Sequence, residues 1–200
     1  MICLCLLLNM PFLPAIAQSS DGSDYLESVL AGGNGKVFRF RSMPIPVYIS
    51  QFPDQSFISA ALKGFDAWET GSGGTVRFIQ VNDQAKARIH VVFKRMGSDH
   101  DEFGDMPGAH TITKFPSRGK VPPQEIDVNL DMILNKDPDV RLTVITNVVT
   151  HELGHALGLL GHSQDKNDMM FAVTDEHSHL SPRDINTLNK LYQRKPDVVL

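Results

Sequence analysis

The sequence is poor in cysteine: of 200 residues only Cys3 and Cys5 are cysteines, and both stand at its very start. A chain trimmed past them has no disulfide framework, no thiol nucleophile and no thiolate metal site. It also lacks an excess of basic charge, with 19 Lys and Arg against 23 Asp and Glu and a formal net charge of −4. That balance gives nucleic acid no footing. Nor does any apolar run reach the roughly 18 residues of a membrane span. Stability must come from packing, and from ions if any are bound. Hydrophobic residues make up 42%, which suits a globular domain with a sizeable core rather than a disordered chain.

Residues 1–17, MICLCLLLNMPFLPAIA, carry no charge. Ile2 to Leu8 form a short apolar core, and Ala15-Ile16-Ala17 fits a small-x-small cleavage site. The stretch reads as a secretory leader, although the usual basic residue near its start is missing. The alternative is a buried N-terminal segment. Residues 18–40 are rich in Ser, Gly and Asp around one apolar turn, YLESVL, and read as a linker or short N-terminal segment. Residues 41–200 then form one domain. The expected location is secreted, extracellular or periplasmic, with no membrane association once the leader is removed, and the expected state is a monomer.

Five segments have the alternation or β-branched content of strands: PVYIS (46–50), VRFIQV (76–81), RIHVVF (88–93), HTITKF (110–115) and EIDVNL (125–130). Between the first two, Ser56 is placed to cap a helix from Phe57 to about Thr70, with Phe57, Ala60, Ala61, Phe65 and Trp68 on one side. Asp137-Pro138-Asp139 can start a long helix from Val140 to about Gly158. Near the end, Ser181, Pro182 and Asp184 make a capping-box-like start for a final helix. The pattern is that of a mixed sheet with helices packed on it.

The long helix is apolar nearly all round, which marks a buried helix, yet it ends in HELGHALGLLGH, His151 to His162. Burying such groups without partners costs several kcal/mol, and a metal ion supplies the partner. His151 and His155 are four residues apart, so both rings leave one helix face and can reach one zinc ion. Glu152 is rotated by roughly 100° on the helix and can face the open side of the metal, where a general base belongs. Gly158 lets the chain turn back with positive φ. The next histidine, His162, completes three protein ligands and leaves one position open, the pattern of a catalytic rather than a structural zinc site.

These residues resemble the metzincin metalloproteases, whose signature is HExxHxxGxxH followed by a methionine turn. The closest likeness is to the matrixin branch, including small secreted bacterial members. Ser163 after His162, NDMMF (167–171) as the methionine turn, LSPRDINTLNKLY as the final helix, and MPIPVYIS, FDAWE and the strand pair VRFIQV and RIHVVF all carry it, over about Met43 to Tyr192. The resemblance implies an α+β, metzincin-like zincin fold: a twisted mixed β-sheet of about five strands, a long active-site helix and a C-terminal helix. It implies a secreted zinc endopeptidase that hydrolyses a polypeptide substrate, such as extracellular matrix, with His151, His155 and His162 on the metal and Glu152 as general base. Met170 would be the methionine beneath the zinc. Substrate would lie along an edge strand within Gly108 to Phe115, with Phe171 to Val173 walling a pocket beside it.

The sequence also departs from the family. The family spacing puts the third histidine at position 161, which is glycine, so His162 comes one residue late; His177 and His179 are the more distant candidates. Phe171 replaces the tyrosine usual after the methionine. Thr113 and Asp127 fall where two histidines of the vertebrate structural zinc site would be, so that site is not expected. Asp99, Asp101, Glu102 and Asp105 have the oxygens to bind Ca2+, but a solvated acidic loop accounts for them. No cysteine follows Cys5, so the family's switch cysteine has no counterpart here. Two other functions fit the same residues: a catalytically inactive, zinc-holding relative that captures peptides, and a metal hydrolase acting on a non-peptide bond.

Overall fold

A computed structural model describes residues 23–96, 109–112 and 122–200. The leader expected at 1–17, the acidic residues Asp99, Asp101, Glu102 and Asp105, and Thr113 lie outside the described residues. In chain order the elements are α1 (Leu26–Gly32), β1 (Phe38–Arg39), β2 (Ile45–Ile49), α2 (Gln55–Gly71), β3 (Phe78–Gln80), β4 (Ile89–Lys94), β5 (Ala109–Ile112), β6 (Gln124–Asn129), α3 (Leu130–Asn135), α4 (Arg141–Ala156), α5 (Pro182–Gln193) and β7 (Val198–Val199).

The five expected strands form one mixed sheet in the order β3-β2-β4-β6-β5. All pairs are parallel except β5, which runs antiparallel to β6 and lies on one edge. Alternation shows which face is covered. Ile45, Val47 and Ile49 of β2 and Ile89, Val91 and Phe93 of β4 are buried, and the residues between them only partly so. Helices α2 and α4 pack against each other, and α4 also meets β5 and β6. Trp68 of α2, fully buried, donates its ring N–H to the Thr150 carbonyl of α4 at 2.8 Å. The α+β architecture with a long site-bearing helix and a C-terminal helix is therefore the one expected.

The helix faces follow the spacing. Phe57, Ala60, Ala61, Phe65 and Trp68 are all buried on α2. Its cap is Asp54 rather than Ser56: the helix starts earlier, and the Asp54 carboxylate accepts from both the amide and the hydroxyl of Ser56. Helix α4, by contrast, starts one residue later than expected, at Arg141 with Val140 as its N-cap. Asp137 instead turns the chain locally by accepting from the Asp139 amide, while the Arg141 guanidinium ties the helix start to the Leu134 and Lys136 carbonyls at the end of α3. The apolar character is all-round only from Val144 onward; Leu142 in the first turn is exposed. The capping box of α5 forms as predicted, with the Ser181 hydroxyl accepting from the Asp184 amide and Pro182 in the first turn.

Within residues 23–40, the LESVL of YLESVL lies in α1 with Tyr25 as its N-cap, and Tyr25, Leu26, Val29, Val37, Phe38 and Phe40 are buried in the same core as α2 and α4. Strand β1 pairs in parallel with β7, Phe38 opposite Val198. Among the described residues, no helix is long and apolar enough to cross a membrane.

Candidate metal centre

Helix α4 ends by turning back on itself. Gly158 has φ of +109°, a conformation that glycine adopts without the steric cost of a Cβ. The Leu157 and Gly158 amides close the last helical turn on the Leu153 and His155 carbonyls. The chain then doubles back, so His151 and His155 on the last turns of the helix and His162 on the returning strand of chain meet. Their ring centroids stand 4.8 to 5.4 Å apart. One ligand atom from each lies within 4.8 Å of the others. His177 and His179, the more distant candidates, are outside this group; both are exposed, His177 beside Glu176 and His179 against the His177 carbonyl.

The protonation pattern suits a cation. The Nδ1 atoms of His151 and His155 face the carbonyls of Met169 and Leu159 at 2.7 and 2.6 Å. A carbonyl only accepts, so each Nδ1 carries the proton and each neutral ring turns a bare Nε2 lone pair inward. Burial pushes the His151 pKa down to about 4, only partly offset by the Met169 carbonyl. Burial, then the neighbouring His151, lowers that of His155, with Glu152 pulling the other way. His162, the most exposed of the three, is pushed to about 4 by burial and then by His155. All three are therefore neutral near pH 7, the form that ligates.

The Nε2 atoms of His155 and His162 stand 3.2 Å apart. Two nitrogens that share one tetrahedral zinc at 2.0–2.1 Å would stand roughly 3.4 Å apart. The observed separation is close to that span, so the donor set fits the metal that the spacing implies.

Glu152 is buried on α4 between the two helical histidines, and its charge acts on His155. The Glu152 carbonyl accepts from the Thr111 hydroxyl of edge strand β5 at 2.8 Å. Met170 is fully buried, with its Sδ packed on Gly154 of α4 near Trp68. Asp184 of α5 holds the methionine turn by accepting from the Met169 and Met170 amides at 2.7 and 3.2 Å. Residues 163–171 close a second small loop: Ser163 N–H reaches the Met170 carbonyl, and the Ser163 hydroxyl donates to Asp168. Phe171 is half-buried and Val173 is 67% exposed, so the latter is no core residue.

Where the vertebrate structural zinc histidine would fall, Asp127 is buried and paired with Lys94 at 2.5 Å. The Lys94 ammonium balances part of its charge. Sequence reading missed Asp184 as a support of the metal site. The capping box exposed its backbone role, but its second partner lies fifteen residues upstream on the methionine turn and leaves no local trace.

Comparison with known proteins follows the same lines. The family profile described as Matrixin matches residues 42–193. The chain is also similar to a probable matrix metalloproteinase of Invertebrate iridescent virus 3, at 33% identity over 139 residues. That alignment covers 64% of this chain but 36% of the viral protein, so the chain matches little more than a third of that relative's length.

Proposed function

The chain belongs to the matrixin family, and from that premise we propose that it is a secreted zinc endopeptidase in which His151, His155 and His162 hold the metal and Glu152 is the general base. The observation that carries the reading is the convergence of three neutral imidazoles, two of them anchored through Nδ1, beside a buried carboxylate. A zinc ion held by such a donor set supplies a Lewis acid that polarises a carbonyl and eases deprotonation of water.

The chain's own groups do the rest. Glu152 accepts the proton of the attacking water as the new C–O bond forms, and returns it to the amine nitrogen as the C–N bond breaks. Edge strand β5 offers main-chain donors and acceptors to an extended polypeptide. The Thr111–Glu152 hydrogen bond fixes the distance between that edge and the helix carrying the base. The anchoring carbonyls of Met169 and Leu159 hold the imidazoles in one tautomer and one orientation. Secretion is supported by the leader pattern of residues 1–17.

The test is cleavage of an unfolded protein by the purified chain. Zinc chelation should stop it and added zinc should restore it. Full activity in excess chelator would remove the metal from the mechanism.

A further inference from the structure

Helix α1 lies upstream of the matrixin match, which begins at residue 42, yet it reaches the supports of all three histidines. At its start, the Tyr25 hydroxyl donates to Asp184 Oδ1 at 2.6 Å. The same carboxylate receives the Met169 amide, and the Met169 carbonyl receives His151 Nδ1. One hydroxyl, one carboxylate and one residue's backbone thus connect α1 to a ring of the cluster. The Tyr25 amide adds a bond to the Thr187 hydroxyl on α5 at 3.1 Å, which fixes where the ring enters.

The other contact is backbone against backbone. Ser28 and Gly32, one turn apart on α1, face Leu160 and Gly161. A Cβ on Gly161 would strike the Ser28 carbonyl oxygen, and one on Gly32 would strike the Leu160 carbonyl oxygen. The turn held this way contains Leu159, whose carbonyl anchors His155, and runs straight into His162. It is also the turn in which this chain carries one residue more than HExxHxxGxxH, with Gly161 standing in the histidine's expected place.

We propose that α1 is a brace of the metal site: Tyr25 positions His151 through Asp184 and Met169, and the Ser28–Gly32 face holds the turn that anchors His155 and delivers His162. The inference rests on the three-histidine reading above. A helix that only covered the core would need no more than Leu26 and Val29, which are buried in it. The directed hydroxyl–carboxylate bond and the methyl-excluding backbone contact are additional, and both lead to histidines.

The experiment uses the full chain prepared metal-free. Zinc affinity is read by competition with a chromophoric chelator, cobalt coordination by visible absorption, and Tm with and without zinc. Tyr25→Phe keeps the ring and removes only the hydroxyl. It should weaken zinc binding about tenfold, at the lower end of what loss of an outer-shell partner costs, alter the cobalt spectrum, and shrink the zinc-induced rise in Tm. Gly32→Ala should do the same by lifting α1 off the turn; if that variant does not fold, Tyr25→Phe decides alone. Equal lowering of Tm with and without zinc, at unchanged affinity and unchanged cobalt spectrum, would make α1 mere packing and overturn the brace. If the wild-type chain itself takes up no zinc, the three-histidine reading falls first and the brace with it.

Discussion

The Nε2 atoms of His155 and His162 lie 3.2 Å apart, although His162 comes one residue later than the family spacing allows. The turn absorbs the extra residue. Gly158 reverses the chain at positive φ, the Leu159 carbonyl settles on His155, and Gly161 fits against α1. His162→Ala should therefore lose tightly held zinc after dialysis, read by elemental analysis, while His177→Ala and His179→Ala keep it. Zinc retained by the first and lost from either of the others would reassign the third ligand.

Glu152→Gln preserves the size and burial of the side chain but cannot take up a proton. It should hold zinc as the wild type does and lose about 10²- to 10⁴-fold in kcat, the range that a positioned general base contributes. Turnover near the wild-type value would end its assignment as base. Loss of zinc together with turnover would mean that the carboxylate shapes the site rather than moves a proton.

The metal-free protein should weaken as pH falls. Burial holds His151 and His162 near 4 in the folded chain, against an ordinary value of 6.5. Between those limits the unfolded chain binds protons that the folded chain refuses, so stability rises with pH across the window. It is complete above about 6.5 and is lost progressively toward 4, with His162 contributing less because it is more exposed. Urea midpoints measured in chelator at pH 7.5, 6 and 5 should descend in that order. A flat series would show that the rings are not desolvated as their surroundings indicate.

What could be read from the sequence was local. Ser181, Pro182 and Asp184 lie within four residues, and their cap follows from hydrogen-bond reach along a few bonds of chain. The buried face of α2 and the strands β2, β4 and β6 follow from a period repeated over adjacent residues. Helix α1 was less legible because its stabilising partners, Asp184 and Thr187, are about 160 residues away, and its own sequence is one short apolar turn in a polar stretch. Strand β1 had the same difficulty, since among the described residues it pairs with β7 at the opposite end of the chain. Helix α3 follows β6 without a break, and its cap, Asn129, is itself the last residue of that strand, so no turn signal separates them. The three histidines were legible because the geometry that joins two of them is a helix repeat and the third follows a glycine turn.

Asp184 gives the sharpest test of how the site is supported. It is fully buried, and four donors converge on it: the Tyr25 hydroxyl and Met170 amide on Oδ1, the Met169 and Ser181 amides on Oδ2. Asparagine fills the same space but must turn an NH2 toward two of those donors. Each buried N–H left without an acceptor costs about 1–3 kcal/mol, so Asp184→Asn should lose about 2–5 kcal/mol in urea unfolding. Because the Met169 carbonyl orients His151, zinc affinity should fall as well, and more than in a surface variant of equal stability loss. A change below about 1 kcal/mol with unaltered zinc binding would mean that the methionine turn holds its shape without the carboxylate, and that the link from α5 to the cluster carries no energy.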